Sequence, residues 1–196
     1  MSTSAQNSSQ PNLHTARLVL RPFTNADATL LSRLAGTHRV ADTTASIPHP
    51  YSEEQALQDI HKFNELFRAG TGAYFAIALR EDPQRLIGCV LLKEINPRNE
   101  QGELGYWIDE ADSGKGYVTE AAQAVLRYGF QVLGLNRISA CHVTRNSASG
   151  RLLERIGMKQ EGLLRQAAKK WGLFEDLLVW AILRDEFRLV DSEKGC

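Results

Sequence analysis

Gly102 to Ala122 reads GELGYWIDEADSGKGYVTEAA, and this stretch decides the fold. Its first part, Glu103 to Ile108, contains the β-favouring residues Tyr106 and Trp107 and predicts a strand. Apolar residues at helical spacing from Ala121 to Leu133 predict a helix on the other side. The sequence between them is rich in glycine, so a strand, a glycine loop and a helix are expected in that order.

The glycine loop has the features of a phosphate-binding turn. Gly114 and Gly116 flank Lys115, and Thr119 and Glu120 stand where the helix is expected to begin. Residues without a Cβ atom let backbone N–H groups converge, and a helix start adds unpaired N–H groups and a positive dipole end. A P-loop is excluded because Lys115 precedes the second glycine, and a dinucleotide fingerprint is excluded because Thr119 occupies the third glycine position.

The two halves of this stretch resemble the GNAT superfamily of N-acetyltransferases, and within it the RimJ/RimL-like branch. In that branch E-[LI]-G-Y-W-[IL] is followed, after a short acidic linker, by G-K-G-Y-x-T-E-A, as at Glu103 to Ile108 and Gly114 to Ala121. The opening T-x-R-L-x-L-R-P at Thr15 to Pro22 is also similar, and the resemblance extends to about Phe187. It implies one α/β (α+β) domain whose mixed sheet has about six to seven strands, splayed between strands four and five and flanked by about four helices.

The resemblance also implies acetyl-CoA as co-substrate and no metal. Two loop positions depart from the broader family, because Ser113 replaces a usual Gln or Arg and Val118 replaces a usual Gly or Ala. Ser113 supplies no positive charge, so the phosphate contacts are expected to come from backbone N–H groups. The donor-binding residues implied are Trp107, Ile108, Ser113, Gly114, Lys115, Gly116, Tyr117, Val118, Thr119 and Asn146.

A second motif, NSASGRLLERIGM, spans Asn146 to Met158. Asn146 is a good helix N-cap and Gly157 a good helix end. The spacing N-x-x-S-x-R-x-x-E-x-x-G-[FM] also resembles the segment that lies along the pantetheine arm of CoA, which implies that Asn146 meets its amides and Ser149 lies near its sulfur. Leu153 stands where many superfamily members carry a tyrosine acid, so the acid role passes to Ser149 or to water.

The sequence offers one carboxylate as a candidate catalytic base. An amine acceptor must lose a proton, and Glu103 is the best-placed carboxylate to take it, directly or through water. A structural role at the strand start is equally open for Glu103. We expect Cys141 to be a core residue rather than a nucleophile, because the adjacent His142 points to the opposite face of its strand. A solvated loop is expected to hold the acidic residues Asp109, Glu110 and Asp112.

Composition bounds the other properties. The chain has 196 residues, 43% of them hydrophobic, and a formal net charge of zero. One soluble domain is therefore expected, with no bulk attraction to nucleic acid or membrane. Three scattered cysteines favour a reducing cytoplasm. Residues 1–13 are expected to form a flexible tail, 14–190 the domain and 191–196 a frayed end.

Hydrophobic periodicity and turn signals predict the remaining elements. Thr37 to Tyr51 is expected to be irregular, and its His49 is interpreted as a surface residue. Two capping boxes, Thr24 with Asp27 and Ser52 with Gln55, predict helix starts. The predicted helices are Ala26 to Leu34 and Ser52 to about Gly70, and the predicted strands are a first strand from Thr15, Ala73 to Leu79, Leu86 to Ile95 (joined to the previous strand through Asp82-Pro83), Arg137 to Val143, Met158 to Arg165 and Asp176 to Leu183.

The function implied is acetyl transfer from acetyl-CoA to a primary amine by direct attack on the thioester in a ternary complex. The expected acceptor is a protein or peptide N-terminal α-amine, and the protein is expected to be a monomer or homodimer. A small-molecule acetyltransferase acting on polyamines or antibiotics remains open, as does a CoA-binding module without catalysis, which Leu153 would favour. The acceptor walls are assigned to Thr37 to Tyr51 and Gly162 to Phe174.

Overall fold

The computed structural model describes residues 9–44 and 47–188. Within these residues one mixed sheet has eight strands in the order β1-β2-β3-β4-β5-β6-β8-β7. All neighbouring strands are antiparallel except β5 and β6, which are parallel. The strands are β1 (Leu13–His14), β2 (Leu18–Pro22), β3 (Ala73–Leu79), β4 (Asp82–Asn96), β5 (Gln101–Ile108), β6 (Arg137–Val143), β7 (Lys159–Lys170) and β8 (Leu173–Leu183).

Five α-helices lie in the part of the chain that the structure describes. They are α1 (Ala28–Ala35), α2 (His38–Thr43), α3 (Glu53–Arg68), α4 (Tyr117–Gln131) and α5 (Ser147–Arg155). Both predicted capping boxes are present, with the Asp27 side chain accepting from Thr24 N–H at 2.8 Å and Gln55 from Ser52 N–H at 2.9 Å. Each pairs an otherwise unsatisfied backbone donor at a helix start.

The two faces of the sheet carry separate helical layers. On β5, Leu104 belongs to one buried cluster with α4 residues such as Leu126 and the α5 residue Leu153. Trp107 belongs to a second buried cluster with residues of α1 and α3. Because side chains alternate along a strand, odd-numbered β5 residues face α1–α3 and even-numbered ones face α4 and α5.

The predicted fold class is confirmed, with differences in detail. The sheet has eight strands rather than six to seven, because the two-residue β1 precedes the expected first strand and pairs Leu13 with Leu20. The β3–β4 hairpin turns at Arg80 and Glu81, so Asp82-Pro83 lies at the start of β4 and not in the connection. The segment Thr37 to Tyr51 contains α2, where Thr37 Oγ1 accepts from Val40 N–H and nucleates a short helix.

Residues 9–13 belong to the predicted tail and lie within the described part of the chain. Gln10 is buried and its Nε2 donates to the Tyr74 carbonyl at 2.8 Å. Residues 1–8 and the predicted frayed end at 191–196 lie outside the described residues. Among the helices of residues 9–44 and 47–188, none has the length and apolarity needed to cross a membrane.

Candidate active site

The parallel strands β5 and β6 separate along their length. Their pairing is confined to Gln101–Glu103 against Arg137–Ser139, and beyond Glu103 and Ser139 the ladder ends. This is the predicted splay, which lies between the fifth and sixth strands because β1 adds one to the count. A cleft of ≈ 710 Å³ occupies the opening and extends from the glycine loop to α1–α3.

The glycine loop forms one wall of the cleft. Gly114 and Gly116 have φ values of +77° and +80°, a region that favours glycine. Gly116 is the N-cap of α4, so the helix begins at Tyr117, four residues before the first residue of the predicted apolar pattern. The first N–H groups of α4 therefore lie beside the loop, as a phosphate site requires.

Asp112 anchors this loop, which corrects its assignment to a solvated segment. Its side chain is 1% exposed and accepts from Arg85 Nη2 at 2.6 Å and from Lys115 Nζ at 2.8 Å. A buried carboxylate is tolerated when cations pair with it. The half-exposed Lys115 side chain is thus held by Asp112.

Arg17 holds the loop from the β1–β2 connection and was not predicted as a site residue. Its Nη1 donates to the Lys115 carbonyl at 2.9 Å and its Nε to Glu120 at 2.7 Å. The guanidinium also lies over the Tyr117 ring, 4.7 Å from its centroid. Arg17 is part of the T-x-R-L motif, but the sequence alone does not show that it contacts the glycine loop about one hundred residues away.

Glu103 stands at the last paired position before the strands separate, on the α1–α3 face. Its carboxylate is 2.9 Å from Lys93 Nζ, its side chain is 21% exposed, and it lines the cleft. Burial lowers the pKa of Lys93, but the hydrogen bond and charge of Glu103 outweigh it, so the pKa of Lys93 is raised. Lys93 therefore stays protonated and pairs with the Glu103 carboxylate.

Cys141 is exposed at the cleft wall, so its assignment to the core was wrong. Its Sγ lies 3.7 Å from Glu103 Oε1, and Cys141 comes after Ser139, the last β6 residue that pairs with β5. Desolvation by the surrounding protein and the charge of Glu103 raise the pKa of Cys141 to about 11. The thiol is protonated at neutral pH and is a poor nucleophile. His142 points to the other face as predicted, where Trp180 donates to it at 3.1 Å.

Ser149 and Tyr106 meet on the opposite face of the sheet, beside α5. Asn146 caps α5 as predicted, with its Oδ1 accepting from Ser149 N–H at 3.2 Å. Ser149 is 8% exposed, and its Oγ is 2.6 Å from the Tyr106 hydroxyl. Burial raises the pKa of Tyr106 to about 12. Tyr106 was quoted only for its β propensity, and its pairing with Ser149 was not predicted.

The two segments assigned to the acceptor walls contact each other. Asp42 of α2 accepts from Trp171 Nε1 at 2.7 Å and pairs with Arg145 Nη1 at 2.5 Å. His38 stacks on Trp171 with ring centroids 4.9 Å apart. The β7–β8 turn is therefore fastened to α2 beside the cleft. His49 is exposed, which agrees with its interpretation as a surface residue.

The remaining predicted donor residues, Trp107, Ile108, Ser113, Val118, Thr119 and Asn146, all line the same cleft. Residues 17–159 match a family model described as an acetyltransferase (GNAT) domain. The chain belongs to the GNAT acetyltransferase family. The resemblance stated from the sequence is thereby confirmed.

Named GNAT relatives extend this result. The uncharacterized N-acetyltransferase YoaA of Bacillus subtilis (strain 168) is 33% identical, over 89% of this chain and 97% of its own length. The ribosomal-protein-serine acetyltransferase of Escherichia coli (strain K12) is 32% identical over 72% of this chain and 74% of its own. Mycobacterium smegmatis RimJ, solved in complex with CoA-disulfide, superposes with a TM-score of 0.81 at 22% identity, covering 93% and 90% of the two chains. This last likeness shows the GNAT fold.

Proposed function

We propose that this GNAT protein transfers the acetyl group of acetyl-CoA to a protein or peptide N-terminal α-amine. The observation that carries the proposal is the opening between β5 and β6. The glycine loop lines it, with the Glu103 carboxylate on one face and the Tyr106–Ser149 hydroxyl pair on the other. The name of the Escherichia coli relative, a ribosomal-protein-serine acetyltransferase, supports a protein acceptor.

The donor fits the cleft from the glycine loop inward. The pyrophosphate would accept from loop N–H groups between Ser113 and Thr119, at the positive end of α4. The pantetheine arm would enter where β5 lacks a β6 partner and pair with backbone near Trp107 and Ile108. A free strand N–H in this opening would polarise the thioester carbonyl and stabilise the developing oxyanion. Asn146 lines the same path.

The acceptor would approach from the α1–α3 face, where Glu103 is placed to take its proton. An α-amine titrates near ~7.7–8.0, so much of it is protonated at neutral pH and needs a base. The amine nitrogen then attacks the thioester carbon, the carbon–sulfur bond breaks, and CoA leaves as a thiolate. Direct attack is favoured over an acyl-enzyme because Cys141, with a pKa raised to about 11, stays a thiol.

The test is a direct acceptor screen. Acetyl-CoA is incubated with the full chain and with peptides beginning in Ala or Ser, polyamines or aminoglycosides, and both CoA release and the acetylated product are measured. We expect peptide α-amines to be acetylated at the highest kcat/KM. A higher kcat/KM for a polyamine or aminoglycoside would show that the acceptor is a small molecule and not a peptide α-amine. If the protein binds CoA and transfers acetyl to none of these amines, it acts as a CoA-binding module and not as an enzyme.

A further inference from the structure

Tyr106 and Ser149 form a hydroxyl pair inside the donor side of the cleft. Tyr106 comes from β5 and Ser149 from α5, and their oxygens are 2.6 Å apart. At that distance one hydroxyl donates to the other. Ser149 is 8% exposed, so bulk water has little access to the pair.

The 2.6 Å distance fits either hydroxyl as the donor. A phenol is more acidic than an aliphatic alcohol, so it is the stronger donor and the weaker acceptor. This difference favours the arrangement in which Tyr106 O–H donates to Ser149 Oγ. The proton of Ser149 is then free to point into the cleft, and the incoming donation polarises Ser149 and strengthens its own hydrogen bond.

The neighbouring side chains limit which group can act beside the departing sulfur. Leu153, one turn further along α5, is fully buried and has no proton to donate. Glu103 and Cys141 lie on the other face of the sheet. Asn146 Oδ1 accepts from the Ser149 N–H, and His142 Nε2 accepts from Trp180. The hydroxyl pair is a polar feature that α5 and β5 jointly present to a donor bound between the strands.

We infer that Tyr106 is a positioning residue, which donates to Ser149 Oγ so that the Ser149 hydroxyl hydrogen-bonds the CoA sulfur as the carbon–sulfur bond breaks. This inference rests on the proposed function. The bond between the acceptor nitrogen and the acetyl carbon forms, and the carbon–sulfur bond breaks with its electron pair on sulfur. The proton that the acceptor nitrogen loses on forming the amide passes to water, and water returns one proton to the thiolate. Tyr106 itself loses no proton. Since the hydrogen bond strengthens as sulfur becomes charged, it acts on kcat more than on donor binding.

The experiment measures the thiol of CoA bound to the full chain and needs no acceptor. Thiolate absorption is titrated in the wild type, Tyr106→Phe, Ser149→Ala and the double variant, each corrected by the same protein without CoA. Calorimetry establishes that CoA is bound in every sample. Tyr128→Phe is the matched control, because Tyr128 is a buried tyrosine on α4 outside the cleft lining.

We expect the bound thiol pKa to rise by about one unit in Tyr106→Phe, equivalent to a tenfold loss of thiolate stabilisation. Ser149→Ala should show an equal or larger rise, and the double variant should match Ser149→Ala, because Tyr106 acts only through Ser149. Acetyl transfer should show a similar loss in kcat with KM for acetyl-CoA unchanged. Tyr128→Phe should match the wild type.

Two results separate the possible failures. If CoA binds and the thiol pKa is the same in Tyr106→Phe and the wild type, or if the two substitutions are additive, the positioning role is wrong and the proposed function stands. If the wild-type chain binds no CoA, the proposed function itself fails, and the role of Tyr106 fails with it.

Discussion

A negatively charged side chain at Gly116 tests the donor site most directly. Gly116 has φ +80°, and a Cβ placed there would lie 3.4 Å from Arg17 Nη2. A non-glycine residue in this region costs ~1–2 kcal/mol, so Gly116→Asp should lower the unfolding temperature by ~2–8 °C for a chain of this size. The added carboxylate would also face the acetyl-CoA pyrophosphate across the N-terminus of α4.

The ligand effect is larger than the strain and is measured separately. Acetyl-CoA at about 100 times its dissociation constant should stabilise the wild type by ~2.7 kcal/mol, a rise of ~5–11 °C in thermal unfolding. Gly116→Asp should show no such rise. Gly134→Asp is the matched control, because Gly134 has φ +69° and open space around its Cβ position. It should lose similar stability and keep the full ligand shift.

The comparison of these two variants tests whether the glycine loop holds the pyrophosphate. If Gly116→Asp is folded and its unfolding temperature rises with acetyl-CoA as much as that of Gly134→Asp, the glycine loop does not hold the pyrophosphate. If both variants lose the shift, the loss comes from strain or the added charge in general and not from the loop.

Three further predictions address the base, the donor contacts and the loop anchor. Glu103→Gln should lower kcat/KM at neutral pH, and part of the activity should return as pH rises and more of the amine is unprotonated. If kcat/KM of this variant equals that of the wild type at every pH, Glu103 has a structural role. Ser149→Ala should lower kcat about tenfold or more and keep its affinity for acetyl-CoA, whereas Asn146→Ala should weaken that affinity and lose ~1 kcal/mol of stability with the helix cap. Calorimetry measures the affinity and steady-state kinetics measure kcat. Lost affinity with unchanged kcat in Ser149→Ala would contradict its role beside the sulfur. Asp112→Asn should lower stability by ~1–3 kcal/mol in thermal unfolding, and the exposed Glu110→Gln by less than ~1 kcal/mol; equal effects would contradict the anchoring role.

Much of the fold was predictable because its signals are local. The strand before the loop, the β6 strand and both capping boxes follow from periodicity and from residues at most three positions apart. Asn146 was predicted as a cap for the same reason. At helix starts, backbone N–H groups need hydrogen-bond acceptors, and side chains at most three residues away supply them. The local sequence alone therefore specifies these features.

The missed features all depend on contacts between distant segments. Tyr106 and Ser149 are 43 positions apart, and strand alternation says which face Tyr106 takes but not what it meets there. The same alternation suggested that Cys141 was buried, yet Cys141 is exposed and comes after the last β6 residue that pairs with β5. Asp112 lies in an acidic run that reads as solvated, and only the fold brings Arg85 from 27 residues away to bury it.

Under the proposed function, the two-sided cleft would separate choice of acceptor from handling of the donor. Residues placed to contact an acceptor belong to α1–α3 and the odd positions of β5, whereas Ser149 and Tyr106 belong to the other layer. Free-energy effects of substitutions at well-separated sites on the two faces should add. The α1–α3 side could then diverge, or be redesigned for a different amine, while Tyr106 and Ser149 stay unchanged.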